Sequence, residues 1–194
     1  MEIFPIAYFG SIGYFQALAK AEKPIFDLHE HFVKQSLRSR FRILGANGIQ
    51  QLSVPVIRQN GSKTALSEVQ VSPDNRWRKE HWRSIESAYA SSPYFEFYDK
   101  EIRSMIEFNT IFLSDLNIHM TVELFKLIGF HLKYEVTNAY RSDYPVDHRS
   151  EEDINSSCEN PYIQVFGKQF EPNLSFLDIL FCEGPLARNF ILNQ

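Results

Sequence analysis

The sequence predicts one α/β domain over residues 1–194, with a mainly parallel, Rossmann-like central sheet flanked by helices. Three observations predict it. Residues 1–28 read strand, glycine turn, helix, strand, the order that favours parallel pairing. Apolar residues then recur at helical spacing around Trp77–Tyr89, Ser114–Ile128 and Leu174–Ile191. Finally, the chain has 17 Phe and 9 Tyr. Each large ring buries roughly 150–250 Å², which fills a sizeable core at this length. The rival is a mixed-sheet α+β arrangement, because Leu52–Val71 reads as a hairpin.

Each element has its own warrant. Ile3–Tyr8 is a short apolar run that reads as a buried strand. Gly10-Ser11-Ile12-Gly13 is a tight turn. Tyr14, Leu18 and Ala21 fall at i, i+4 and i+7 and predict a helix that Lys23-Pro24 ends. Ile25–Leu28 reads as the second strand. His29–Ile43 is basic and polar with weak periodicity, and Ala46-Asn47-Gly48 is a turn. Leu52, Val54 and Val56 alternate as in a strand, and Ala65–Val71 reads as another.

Asp74 is a plausible N-cap for a helix carrying Trp77, His81, Ile85 and Ala88. Leu116, Met120, Leu124 and Leu127 stripe a later helix, with Gly129 placed to terminate it. Leu132–Val136 suggests a strand. Asn138–Pro161 is polar and acidic, with Glu151-Glu152-Asp153 and Ser156-Ser157, and reads as an exposed loop. Leu177, Leu180 and Phe181 face inward from the C-terminal helix.

Composition excludes several classes. With 20 Lys and Arg against 24 Asp and Glu, the net charge of −4 argues against a nucleic-acid binder but leaves room for a local basic pocket. No run approaches the ~18 apolar residues of a membrane span. The start, Met1-Glu2-Ile3-Phe4-Pro5, has an acid where a signal peptide carries Lys or Arg, so the expectation is a cytoplasmic protein. Cys158 and Cys182 are too few for a disulfide scaffold and lack metal spacing. Both are expected as reduced thiols, Cys182 buried and Cys158 in a loop.

Several blocks together resemble a known family. They are Tyr8-Phe9 with Tyr14-Phe15, then Lys34-Gln35-x-x-Arg38-x-Arg40, then Ile43-x-x-Ala46-Asn47-Gly48-x-Gln50-x-Leu52-x-Val54-Pro55-Val56. Trp77-x-x-x-His81-Trp82-x-Ser84-Ile85, Ser92-Pro93-Tyr94-Phe95-Glu96 and Pro172-Asn173-Leu174-Ser175 continue the series. In this order they resemble the WbqC-like family, in its shorter, Bacteroidetes-type branch. The resemblance implies a setting in O-antigen-like surface-polysaccharide biosynthesis. It also implies an activity on a nucleotide-linked amino sugar, such as acylating or aminoacylating its amine. The chain departs from the family at Gly10-Ser11, where relatives often carry prolines, and at Leu37 and Ser39 beside the paired arginines.

The candidate site residues follow from their chemistry. Lys34, Arg38, Arg40 and Arg42 place four cations in nine positions beside Gln35, Ser36 and Ser39. Arginine's planar fork matches phosphate, and lysine adds a mobile charge. If extended, the three arginines share one side; the alternative is a solvated edge strand. His29 and Glu30 are candidates for proton transfer, as is His81, which packing alone also explains. A metal site needs ligands beyond His29 and His31, and none can be placed. Tyr8 and Tyr14 either frame a sugar or base by stacking or pack in the core. Asn173 either contacts substrate or caps the following helix.

The catalytic expectation is therefore His29, Glu30 and His81, and the substrate-binding expectation is Tyr8, Tyr14, Lys34, Gln35, Arg38, Arg40 and Asn173. The leading function is a transferase-type enzyme acting on a phosphate-bearing small molecule. The alternative is a non-catalytic anion- or glycan-binding scaffold. The sequence names no cofactor and no oligomeric state.

Overall fold

Ile3 and Phe4 are fully buried, and burying side chains of this size contributes about 1.5–3 kcal/mol each. Their strand, β1 (Glu2–Phe4), is shorter than the apolar run Ile3–Tyr8. Pro5 follows and has no N–H to continue a ladder. The chain turns instead through a buried loop, in which the Tyr8 N–H donates to the Leu37 carbonyl at 2.9 Å. The structure is a computed structural model and describes residues 1–150 and 161–192.

Helix α1 (Ile12–Lys20) starts at Ser11, whose side chain accepts from the Tyr14 N–H at 3.2 Å. Gly10 is required just before it, since any Cβ there would collide with the Tyr14 ring. Strand β2 (Pro24–Phe26) follows and pairs in parallel with β1, as the opening pattern predicts. Strands β3 (Arg40–Gly45) and β4 (Gly48–Ser53) form an antiparallel hairpin. Gly48 has φ 102°, the conformation that the Asn-Gly turn demands. Strand β3 begins only at Arg40, so Arg38 lies in the preceding turn and does not share a strand face with Arg40 and Arg42.

Strands β5 (Val56–Ile57) and β6 (Gln70–Val71) make a second antiparallel pair. The expected strand over Ala65–Val71 is a tight 3-10 turn at Leu66–Glu68 before those two residues. Helix α2 (Arg76–Tyr89) buries Trp77, His81, Ile85 and Ala88. Asn75 holds its N-cap position, while Asp74 accepts from the Arg76 N–H at 3.0 Å. Helix α3 (Phe95–Glu107) was not among the expected elements, although Ile102, Met105 and Ile106 give it a buried stripe. Helix α4 (Leu113–Leu127) follows the predicted stripe and is closed by Gly129.

Strand β7 (Glu135–Val136) pairs in parallel with β2, and β8 (Val146–Asp147) in parallel with β1. The central sheet therefore runs β7-β2-β1-β8, all parallel, with helices flanking it. The two antiparallel pairs stand apart from it as separate units, which removes the mixed-sheet alternative. The expected loop over Asn138–Pro161 thus contains a sheet strand. Its 151–160 portion, with Glu151-Glu152-Asp153, Ser156-Ser157 and Cys158, lies outside the described residues. The C-terminal apolar stretch is two helices, α5 (Phe176–Glu183) and α6 (Ala187–Leu192), separated at Gly184-Pro185. Phe176 of α5 stacks on Phe15 of α1 with centroids 4.5 Å apart.

Candidate functional site

The residues just past the carboxyl ends of three parallel strands meet at one place. Asp27 follows β2 and continues the ladder through its N–H to the Phe4 carbonyl at 2.9 Å. Thr137 follows β7 and does the same toward Phe26 at 3.0 Å. His148 and Arg149 follow β8, with the His148 N–H on the Ile3 carbonyl at 2.9 Å. Ligand sites in open parallel sheets favour this edge. Here it carries a cavity of about 550 Å³, lined by His29, Glu30, His31, Tyr140, Asp147 and Arg149.

Its charges are paired. The carboxylate of Asp27, fully buried, accepts from Arg149 Nη1 at 2.8 Å, and Arg149 Nε also donates to Asp147 at 2.9 Å. Arg38, 1% exposed, grips Glu30 in bidentate fashion at 2.7 and 2.6 Å. Burial pushes the Glu30 carboxyl up, and the Arg38 guanidinium draws it back down. The same guanidinium donates to the Arg149 carbonyl at 3.2 Å, and the amide of Asn117 holds the Arg38 backbone carbonyl at 2.7 Å. Removing either partner of such a buried pair strands an uncompensated charge and is strongly destabilising.

His29 differs from its neighbours. Its Nδ1 lies 3.0 Å from Thr137 Oγ1, which in turn donates to Asp27 Oδ1 at 3.2 Å. Among the described residues its Nε2 has no protein partner.

A second cavity, about 230 Å³, lies beside the start of α1. Its wall includes Phe9, Ser11, Gln35, Arg40, Arg42 and Asn173 and carries no carboxylate among the described residues. Neither Arg40 nor Arg42 has an ionic partner among the described residues. Among those residues the non-glycine positions with positive φ are Phe9 at 47°, Gln35 at 59° and Asn173 at 58°, and all three line this cavity. Such backbone strain concentrates where a fold holds groups for a ligand. Asn173 does not cap α5; Ser175 does, accepting from the Leu177 N–H at 3.2 Å. The buried Oδ1 of Asn173 has no partner among the described residues.

The remaining predicted residues lie elsewhere. Tyr8 and Tyr14 are fully buried. The Tyr14 hydroxyl donates to the Pro5 carbonyl at 3.0 Å. The Tyr8 hydroxyl lies 3.0 Å from His81 Nδ1, and His81 Nε2 lies 3.2 Å from the Ser53 carbonyl. Since a carbonyl only accepts, His81 donates from Nε2 and accepts from Tyr8 at Nδ1. Burial pushes its pKa down to about 4. It sits among the rings of Tyr8, Phe41 and Trp77 and lines neither cavity. Lys34 is exposed and lines neither cavity.

Sequence reasoning passed over Asp27, Thr137 and Arg149. An acid ending the apolar run Ile25-Phe26 was the available signal; Thr137 and Arg149 gave none.

Other polar clusters are accounted for by structure. Asp178 accepts from Tyr89 at 2.9 Å, Tyr162 at 2.6 Å and Gln164 at 2.9 Å, and burial raises its pKa. Cys182 is buried, and burial pushes its thiol up to about 12, so it is not a thiolate nucleophile at neutral pH. No group of three or more His, Cys, Asp or Glu side chains converges as a metal site among the described residues. No helix among them is long and apolar enough to cross a membrane.

Residues 7–160, which contain both β2-to-β3 cavity walls and the β7 and β8 ends, match the WbqC-like protein family. The chain belongs to that family. This WbqC-like chain is also 24% identical to the uncharacterised protein Rv1507c of Mycobacterium tuberculosis, over 92% of its own length and 91% of the relative's. No solved structure matches it.

Proposed function

We propose that this WbqC-like protein is a cytoplasmic, transferase-type enzyme of surface-polysaccharide biosynthesis. Its substrate is a phosphate-bearing nucleotide sugar or amino sugar, and acyl or aminoacyl transfer is the reaction class. The observation that supports it is the cavity beside α1, where Arg40 and Arg42 stand without a carboxylate on the wall among the described residues. Two guanidinium forks there match phosphate oxygens. The amides of Gln35 and Asn173 add neutral hydrogen-bonding groups, and the positive end of the α1 dipole favours an anion. Lys34 and Arg38, expected to share this role, are replaced in it by Arg42.

Thermal shift with UDP-linked sugars, UDP and inorganic phosphate tests the reading. At about 100-fold excess over Kd, a single-site ligand adds ~2.7 kcal/mol, or roughly 5–10 °C for a chain of this size. Wild type shows that shift, and Arg40→Ala loses most of it. No stabilisation of wild type by any of these compounds overturns the proposal.

A second reading, a non-catalytic anion- or glycan-binding scaffold, draws on a groove of about 320 Å³ between α2 and α3. Arg78, Lys79, Arg83 and Arg103 line it with Trp82 and one acid, Glu107, which accepts from Arg103 at 3.1 Å. A stable protein partner that survives Arg40→Ala but not Arg83→Glu, without small-molecule stabilisation, favours this reading.

A further inference from the structure

We propose that the larger cavity is a separate proton-abstraction site. In it, Nε2 of His29 is the catalytic base, Thr137 and Asp27 are its positioning residues, and the ligand presents an amine or hydroxyl without net negative charge.

The argument begins with a single hydroxyl proton. Thr137 Oγ1 accepts the Leu28 N–H at 3.0 Å and lies within reach of both Asp27 Oδ1 and His29 Nδ1. Asp27 is ionised against Arg149 at 2.8 Å, and an ionised carboxylate only accepts. The same Oδ1 also takes the N–H groups of His29 at 2.9 Å and Glu30 at 3.1 Å. The Thr137 proton therefore goes to Asp27, where the charge-assisted bond is the stronger choice. His29 Nδ1 must then be the donor to Thr137. In neutral His29 this fixes the Nδ1–H tautomer and leaves a lone pair on Nε2.

That ordering is a positioned acid–base device, with a hydroxyl inserted between imidazole and carboxylate. When Nε2 takes a proton, a new N–H bond forms there. The ligand's N–H or O–H bond breaks, leaving its electron pair on the ligand atom as nucleophile. The imidazolium charge so created faces Asp27 through Thr137. Two of the competing groups on the wall are committed: both Glu30 oxygens accept from Arg38, and Arg149 is held by Asp27, Asp147 and the Arg141 carbonyl.

The ligand class follows from charge. Around this cavity the described carboxylates are Asp27, Glu30 and Asp147, and the guanidiniums are Arg38 and Arg149, three against two. These five groups leave a balance of −1. An anion is disfavoured, whereas an ammonium or a polyol is accommodated. The cavity beside α1 has the opposite balance, so the two sites separate by ligand charge.

Long-range ¹H–¹⁵N correlation NMR of the full chain tests the proposal. Wild-type His29 shows the Nδ1–H tautomer near neutral pH. Glucosamine shifts its Nε2 resonance saturably, while glucuronate and inorganic phosphate leave it unchanged. Arg40→Ala alters none of this, which separates the result from the fate of the phosphate site. Diethyl pyrocarbonate, which acylates an imidazole lone pair, reads basicity directly. Thr137→Val slows His29 acylation about fivefold, the equivalent of one hydrogen bond, and Thr137→Ser restores it. An Nε2–H tautomer in wild type, an unmoved His29 with glucosamine, or equal acylation rates in folded Thr137→Val each overturn the proposal. If Thr137→Val fails to fold, the wild-type tautomer and glucosamine titration decide alone.

Discussion

The two cavities share the segment His29–Arg42 as a wall and treat charge in opposite ways. In the larger one, buried carboxylates and guanidiniums pair with one another, and an imidazole nitrogen of His29 stays uncommitted among the described residues. In the smaller one, two guanidiniums lack ionic partners among the described residues and the backbone is strained at Phe9 and Gln35. Left-handed backbone costs roughly 1–2 kcal/mol at such residues, and less at Asn173. One wall thus carries a rigid, self-neutralised framework, and the other holds cationic groups ready at the expense of local strain. The basic stretch is not one site; Arg38 supports the first cavity while Arg40 and Arg42 serve the second.

The largest expected effect bears on the paired cavity. Arg38→Ala leaves Glu30 buried without its partner and destabilises by about 3–5 kcal/mol. Equilibrium urea denaturation measures it, and the double change Arg38→Met with Glu30→Leu recovers most of the loss. A loss under ~1 kcal/mol for the single variant would place the pair among exposed ones and break the contrast.

Next in size is a pH effect behind the smaller cavity. Tyr8, bonded to His81, packs edge-on against Phe9 and Phe41 of that cavity's wall. His81 has a folded pKa of about 4 against 6.5 unfolded. Between these values the unfolded chain binds a proton that the folded chain refuses, so stability rises with pH across the window and is lost as pH falls. The full contribution is on the order of 3 kcal/mol. Burial raises the carboxyls of Glu30 and Asp178, which act in the opposite sense and favour low pH. The readout is therefore wild type minus His81→Gln at pH 7 and pH 4.5. A flat difference means that His81 is not held neutral, and the wall is less structural than its packing indicates.

Arg40→Ala sharpens the same comparison. With no ionic partner among the described residues to strand, it changes stability by no more than about 0.5 kcal/mol while removing most of the ligand-induced shift. Gln35→Gly gives the smallest effect. Relief of φ 59° at Gln35 raises stability by a few tenths to ~1 kcal/mol, offset in part by the greater unfolded-state freedom of glycine. Calorimetry that finds Gln35→Gly clearly destabilised would show that no strain is stored there.

Much of the fold was legible because its signals are local. The strand-helix-strand opening, the Asn47-Gly48 hairpin turn and the stripe of α4 are periodicities or turn chemistries within a few residues. Helix α3 was readable in Ile102, Met105 and Ile106 but lies between two stronger aromatic blocks. Strand β8 was not readable: two residues in a polar stretch carry no pattern, and only pairing with β1 makes Val146–Asp147 a strand. For the sites, Arg40, Gln35, Asn173 and His29 stood out by residue type. Arg38 and His81 stood out equally, yet their polar groups are bound within the fold, because a buried charge or ring nitrogen requires a partner that sequence spacing does not display.

By itself the sequence determined the parallel opening, the main helical stripes, the family and the residue types from which a site is built. Only the tertiary structure decided which of those residues face a cavity. Asp27, Thr137 and Arg149 are separated by more than a hundred positions between the first and the other two, and they meet because parallel strands deliver their carboxyl ends to one edge. Short-range pattern records which way a side chain points along its own element; it does not record which distant charge that side chain will find there.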